Sequence, residues 1–371
     1  MRKIRVLQFP FSQNNGVTAY ATNNWKYLDK ERFICDFAVV RKSFSSSWES
    51  CLIHSGAGIK KIFSSAEKDR ERYIEQVRTM LYGNYDVVHL HTSFWKRLLI
   101  EQLAIECKIP KVIVHSHSSG FDLNADDAVR RDAEALHYRL REQFTPDLAT
   151  DFCACSWAAA DWLFGEQIPH DKIRIMKNAI EVEKFLYNKA VRDKYRVAMG
   201  LDRSFVIGHV GRFSYQKNHR FLLETFCSAV EKIPNARLML VGEGPLTDDM
   251  RVLASELKID EKVLFLGQRN DIPQLMQAMD VFCLPSRFEG LPIVLVEAQT
   301  AGLKCLTSTA VTGEVCISAN LTRIPLNVED WVQALLTFSK GYERENMFDI
   351  ITAEGYNIKF QIKKVERLYA N

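Results

Sequence analysis

Short β-branched, apolar runs alternate along this chain with longer segments whose apolar positions recur at helical spacing. IRVLQFP from Ile4, YDVVHLH from Tyr85, KVIVHSH from Lys111, FVIGHVG from Phe205, ARLMLVG from Ala236, KVLFLG from Lys262 and DVFCLP from Asp280 are the clearest runs. Apolar runs of strand length suit strands covered on both faces, hence parallel sheets flanked by helices. Residues 214–232 and 246–257 carry apolar side chains at helical spacing. The pattern predicts an α/β chain built from doubly wound sheets.

The series runs once to about Cys155, lapses into the turn-rich IPHDKIRIMKNAIEVEKF, and starts afresh at Phe205. Two domains are expected, 1–185 and 186–354, in keeping with a length of 371 residues. Residues 355–371 read as a polar helix with Ile358, Ile362, Val365 and Leu368 at helical spacing, expected to dock back on the N-terminal domain.

Composition narrows the class. Hydrophobic residues are 47% and charged residues 26%, the mix of an ordinary globular protein. Lys plus Arg number 49 against 46 Asp plus Glu, a net +3 that falls short of the excess a nucleic-acid binder needs, so no nucleic-acid partner is expected. No window reaches the apolar length of a membrane span, and the N-terminal stretch does not read as a signal peptide. Nine cysteines without a C-x-x-C pair read as reduced core thiols of a cytoplasmic protein.

The densest cluster of unusual choices is SRFEGLPIVLVEAQTAG, residues 286–302. Gly290 can take backbone angles closed to other residues, and Pro292 suits the first helical position. A helix starting there offers backbone N–H groups at the carboxyl end of a parallel strand, an anion site. Glu289 just before it and Glu297 within it would flank one pocket at two depths; taken by themselves, two glutamates eight apart are also an ordinary surface pair. In GHVGRFSYQKNH, residues 208–219, a strand ends at Gly211, with Arg212 next and Lys217 five residues on. The forked donors of Arg and the mobile charge of Lys suit two phosphates of a departing nucleoside diphosphate, although a solvated basic loop has the same composition.

These segments, with VGEGP at 241–245, the helix DIPQLMQAMD and TGEV at 312–315, occur in an order that resembles the retaining glycosyltransferases of family four, with the GT-B fold. The chain is especially similar to bacterial capsular and exopolysaccharide members. The likeness is strong over 205–315 and weaker in the N-terminal half, where NNGVTAY, HSHSSG, FCACS and MKNAIEVEKF carry it. NNGVTAY has one glycine where many relatives have two.

The resemblance implies two facing Rossmann-like domains with the active site in the cleft between them, the C-terminal one holding the sugar nucleotide and the N-terminal one the acceptor. Arg212 and Lys217 match the diphosphate clamp, Glu297 the carboxylate on the ribose hydroxyls, and Glu289 the one over the transferred sugar. Backbone at Gly211, Gly290, Leu291 and Pro292 would meet the phosphates, Gln268 and Arg269 would lie beside the base, and Gly16 would approach the diphosphate from the other domain. The implied donor is a nucleoside-diphosphate sugar, UDP-linked first of all, and the acceptor a glycan or lipid-linked saccharide in surface polysaccharide synthesis. No cofactor or metal is implied. Rival readings are a GT-B epimerase, a phosphorylase, which would need a cofactor lysine and a longer chain, and a non-catalytic GT-B subunit.

His89 with His91, and His115 with His117, alternate on strands, so each pair points to one face. Four histidines could hold a metal, but without an acidic partner at suitable spacing the expectation is none. The family places one histidine near the transferred sugar; His115 and His117 both fit, His117 better. Peripheral membrane contact has two candidate segments: VRRDAEALHYRLREQF with Arg130, Arg131, Arg139 and Arg141, whose interspersed acids equally suit a solvated helix, and Trp95 with Lys96 and Arg97.

Overall fold

The computed structural model describes residues 2–11, 16–40, 46–82, 85–123 and 127–371. The chain divides into two compact units, the first comprising Met1–Phe121, Asp127–Ala179 and Ile358–Asn371, the second Asp122–Asp126 and Ile180–Asn357. The crossing at Ala179 and Ile180 falls a few residues before 185, because Val182 and Phe185 are buried and Gln277 donates to the Phe185 carbonyl at 3.2 Å, all within the second unit.

The first unit is built on β1 (Ile4–Phe11), β2 (Phe33–Val40), β3 (Gly58–Ile62), β4 (Val87–Thr92), β5 (Lys111–Ser116), β6 (Asp151–Ala154) and β7 (Ile173–Ile175). They pair in parallel in the order 3-2-1-4-5-6-7. Successive strand side chains point to opposite faces, so the complete burial of Val112, Ile113 and Val114 in β5 requires cover on both. Part of that cover is the last helix, Ile358–Ala370, which buries Ile362, Val365, Leu368 and Tyr369 in one core with Val6, Trp25 and Phe33.

The second unit contains β8 (Phe205–Val210), β9 (Ala236–Val241), β10 (Val263–Phe265), β11 (Val281–Leu284), β12 (Lys304–Ser308) and β13 (Leu321–Ile324), in the order 10-9-8-11-12-13. Its core gathers Ile207, Leu238, Leu240, Cys283, Leu306, Phe226 and Trp331. Each sheet reverses its winding beside its first strand, between β1 and β4 and between β8 and β11, and such a switch point opens a crevice at the carboxyl ends of the strands.

Several local expectations are corrected. The helix anticipated over 214–232 spans His219–Lys232, because Asn218 adopts left-handed angles (φ 54°) and ends the preceding loop. Pro292 caps the helix Ile293–Thr300 instead of occupying its first turn, and Gly290 does not have a positive φ. No disulfide joins the cysteines; Cys51 and Cys316 are exposed and Cys107 and Cys227 half-buried, so only five of the nine are core thiols. Trp95 is 1% exposed and donates its indole N–H to the Leu163 carbonyl at 2.8 Å, which removes it as a membrane-inserting side chain. Among the described residues, no helix is long and apolar enough to cross a membrane.

Candidate active site

In the second unit, chain segments leaving β8 and β11 bring the predicted charges together at the switch point. Lys217 donates to Glu289 Oε1 at 2.6 Å, Ser286 donates its hydroxyl to the same oxygen at 2.7 Å, and Gln216 donates to Oε2 at 3.1 Å. Glu289 is 6% exposed, so a cation and neutral donors, Ser286 and Gln216 among them, hold a buried carboxylate. The loop conformation is locked across the crevice: the Arg287 N–H donates to the Gln216 carbonyl at 2.8 Å, and the Arg287 side chain lies over the Tyr215 ring and donates to Asn218. Ser286 and Gln216 escaped the sequence reading. The Ser-x-x-Glu spacing of 286 and 289 and the adjacency of Gln216 to Lys217 were the available signals.

The glycines around this crevice answer to close approach. Gly242 has φ +127°, and a Cβ there would stand 2.1 Å from the Gly211 carbonyl oxygen; one on Gly244 would stand 2.3 Å from that of Phe213. Gly211 donates to Val241 and Gly242 to Gly267, so the loops after β8, β9 and β10 are laced edge to edge. Gly242→Ala is expected to lower stability by about 2–4 kcal/mol in urea denaturation, since alanine meets both the unfavourable φ and the carbonyl.

Arg212, in the same laced loop, is exposed, with Asp122 at 3.8 Å within this unit. Glu297 is half-buried in the helix Ile293–Thr300; burial pushes its carboxyl up to about 7, and its side chain makes no hydrogen bond or ion pair among the described residues. Leu291 and Pro292 are buried between Glu289 and that helix. Gln268 is exposed, and Arg269 is committed to Asp271 through two hydrogen bonds of 2.8 and 2.7 Å, which hold the aspartate down to about 2. Next to Gln268 lies a cavity of about 420 Å³ lined by Gly242, Gly244, Phe265 and Gly267.

In the first unit, the parallel register sets His91 beside His115 and gathers all four histidines at the carboxyl ends of β4 and β5. Gln8 on β1 orients them. Its amide donates to the Tyr369 hydroxyl at 2.8 Å and accepts from His91 Nε2 at 2.7 Å. Tyr369 therefore donates to His89 Nδ1 (2.8 Å), which leaves His89 Nε2 to donate to His115 Nδ1 (3.0 Å). On the other arm, His91 Nδ1 must accept from His117 Nε2 (2.9 Å). A single polarised chain runs His117–His91–Gln8–Tyr369–His89–His115, with every tautomer fixed by one amide.

Burial first, and mutual repulsion second, holds His89 at about 3 and His91 and His115 well below the usual histidine range; burial holds His117 at about 3. Nitrogens of His89, His91 and His115 lie close enough to share one ion. The chain, however, leaves no lone pair of theirs convergent and unused, because each acceptor nitrogen already receives a proton donor. His115 is fully buried, its Nε2 without a hydrogen-bond partner among the described residues, whereas His117 is half-buried. Tyr369→Phe would strand His89 and the Gln8 amide; a loss of about 1–3 kcal/mol is expected, with faster amide exchange in the last helix.

Gly16 is exposed at the start of the helix Gly16–Tyr27, and a Cβ there would meet nothing within 4 Å. Asn14 and Asn15 of the NNGVTAY motif lie outside the described residues.

Comparison with known proteins addresses the family and the fold. Residues 191–350 match the family described as glycosyl transferases group 1. EpsF of Bacillus subtilis (strain 168), named as a glycosyltransferase, is 28% identical over 98% of this chain and 96% of its own length. The UDP-Gal:alpha-D-GlcNAc-diphosphoundecaprenol alpha-1,3-galactosyltransferase of Escherichia coli is 28% identical over 81% of this chain and 79% of its own. Among solved structures, Anabaena HepE in complex with UDP and glucose superposes with a TM-score of 0.79 at 18% identity, covering 100% of both chains, which shows the fold. Two parallel Rossmann-like sheets of this order make the fold GT-B, and the family match with its named relatives supports reading the chain as a GT-B glycosyltransferase.

Proposed function

We propose that this protein is a retaining, metal-independent glycosyltransferase that moves a sugar from a UDP-sugar to a glycan or lipid-linked saccharide in bacterial surface polysaccharide synthesis. The observation that carries the reading is the Lys217–Glu289 pair, held at the carboxyl ends of β8 and β11, where an anionic ligand would meet the N-terminus of the helix Ile293–Thr300. The names of the relatives support the donor and acceptor classes: one is named for UDP-Gal and a lipid-linked acceptor, and one structural neighbour was solved with UDP and glucose.

In this reading Arg212 and Lys217 bind the diphosphate and Glu297 accepts hydrogen bonds from the ribose hydroxyls. Glu289 faces the transferred sugar, the cavity beside Gln268 takes the base, and His117, the more accessible of the two histidines, lines the sugar site. As the anomeric carbon–oxygen bond breaks, its electron pair passes to the leaving phosphate. Fixed cations and N–H dipoles aimed there lower the barrier without a divalent ion. The acceptor oxygen bonds the anomeric carbon on the face the phosphate leaves, and its proton passes to the phosphate oxygen.

The test is a thermal-shift series with UDP-, GDP-, ADP- and dTDP-sugars, with and without magnesium, repeated on Arg212→Ala. A magnesium-independent rise with the UDP series, lost in the variant, is expected. No shift with any nucleotide would favour a non-catalytic GT-B subunit, and UDP release without sugar transfer would point to an epimerase-like reaction.

A further inference from the structure

Six polar side chains from β1, β4, β5, the residue that follows β5 and the last helix join in the hydrogen-bond chain of the first unit, where apolar residues would pack without the cost of burying polar atoms. Its two ends differ, and the difference shows where such a chain can meet a ligand. At one end His115 Nε2 is sealed in the core, with the Tyr20 ring standing at 84° to the imidazole and 5.1 Å from it. At the other end His117 is half-buried, and its Nδ1 makes no hydrogen bond among the described residues and is not enclosed. Of the ring nitrogens of these four histidines, it is the one both unbonded and open.

The His117 ring has its orientation fixed. Its Nε2 bonds His91 Nδ1 at 2.9 Å, one face stacks on His115 at 4.1 Å, and the Tyr20 ring lies 5.2 Å away. Which nitrogen carries the hydrogen is decided elsewhere. The Gln8 oxygen accepts from His91 Nε2 at 2.7 Å, so His91 has no proton left for Nδ1, which accepts the N–H of His117 Nε2. An uncharged imidazole carries one N–H, and His117 Nδ1 is therefore left with a lone pair. Burial holds His117 at about 3, so no second proton joins the ring at neutral pH. The Gln8 amide is in turn held from its other side, where its nitrogen donates to the Tyr369 hydroxyl at 2.8 Å.

We infer that Gln8 is a positioning residue: by turning its oxygen to His91 it makes His117 a hydrogen-bond acceptor at Nδ1, which selects a sugar hydroxyl or amide N–H as the partner of that nitrogen. The inference rests on the reading that places His117 at the sugar, but the tautomer can be judged apart from it. A carboxylate or phosphoryl oxygen at the same nitrogen would set lone pair against lone pair. Gln8 is 4% exposed and acts through two hydrogen bonds, its own to His91 and that of His91 to His117.

Long-range proton–nitrogen correlation spectra of the full chain, labelled with heavy nitrogen at histidine, read each tautomer directly, with His117 assigned from the signals lost in His117→Asn. In the wild type without ligand, His117 is expected to carry its proton on Nε2, with Nδ1 bare. In Gln8→Met, similar in length but without the amide, His91 loses its acceptor and the Nδ1–H form of His117 should appear. The ligand probes are UDP-glucose, UDP-galactose, UDP-GlcNAc and UDP-GalNAc, with UDP as the reference in each protein. A UDP-sugar that binds, but not UDP, should move the wild-type Nδ1 resonance in the direction of an accepted hydrogen bond. The ratio of UDP-sugar to UDP affinity should fall about tenfold in Gln8→Met, the scale of one lost hydrogen bond. A wild-type His117 with its proton on Nδ1, or a His117 tautomer unchanged in folded Gln8→Met, overturns the inference, and the first of these needs no variant. UDP-sugar binding with an unmoved Nδ1 resonance would remove His117 from the sugar and Gln8 from its positioning role. A bare Nδ1 in a protein that binds neither UDP nor any UDP-sugar would sink the glycosyltransferase reading and leave the tautomer assignment standing.

Discussion

Glu289→Ala is expected to lower turnover by about two to three orders of magnitude, the scale of losing one preorganised electrostatic contact to a transition state, while the protein still folds and binds UDP. The reason lies in the carboxylate's surroundings. Lys217, Ser286 and Gln216 all converge on it, so its position is set before any ligand arrives, and an oxocarbenium-like sugar would meet a negative charge that needs no reorganisation. Lys217→Ala should cost a similar factor by a different route: it removes a cation from the leaving diphosphate and takes the ammonium away from Glu289, which is 6% exposed. Breaking one side of a buried pair destabilises by about 3–5 kcal/mol, so both single variants should melt lower than the wild type. The double variant should lose less stability than the two single losses summed, because the stranded charge is gone. Steady-state UDP release and thermal midpoints on the four proteins decide this. Turnover near wild type in folded single variants would show that the pair is structural only.

Glu297→Ala should act chiefly on binding, weakening UDP about 10- to 100-fold by the loss of charge-assisted hydrogen bonds to ribose, with a smaller change in turnover at saturation. The side chain has a pH signature as well. Burial raises its carboxyl to about 7 in the free protein. Ribose hydroxyls donating to the ionised form would pull that value down in the complex. UDP affinity should therefore be level above about pH 7 and fall by up to tenfold per unit below it, and Glu297→Gln should flatten the profile. The same raised value has a stability consequence of opposite sense. The folded protein holds the proton more tightly than the unfolded chain between the ordinary glutamate value and about 7, so Glu297 costs stability above that window and the cost is relieved as pH falls through it. Isothermal titration of UDP from pH 5.5 to 8.5 reads the first effect and urea denaturation over the same range the second. A wild-type binding profile flat to pH 5.5 would remove Glu297 from the ribose site.

Much of the fold was legible because its signal is local. The apolar runs at Ile4, Tyr85, Lys111, Phe205, Ala236, Lys262 and Asp280 each correspond to a strand, since a strand covered on both faces must be apolar on consecutive positions. Where the reading failed, a conformation was decided by partners distant in sequence. Residues 214–218 have helical spacing yet form a loop, because Gln216 and Lys217 are taken up by Glu289, 72 or more positions away. Trp95 sits beside two cations and looks like a surface anchor, but its indole belongs to the core through Leu163.

The candidate site shows the same division. Residue type and order singled out Arg212, Lys217, Glu289 and Glu297 as candidates, and the resemblance to a known family gave them their expected roles. What sequence could not supply is which charges face each other, that Ser286 and Gln216 complete the carboxylate's shell, and that Gly242 is a glycine because the Gly211 carbonyl occupies the space of its Cβ. The histidines make the point most sharply. Alternation placed each pair on one face, a two-residue rule. Only the β4–β5 register, and a tyrosine 280 residues beyond His89, turned two pairs into one directed hydrogen-bond chain. The sequence by itself determined what can be buried and what carries charge, through periodicity and residue chemistry. Tertiary structure decided which buried polar groups satisfy one another, because hydrogen bonding is directional and short-ranged and depends on which distant segments the sheet order brings side by side.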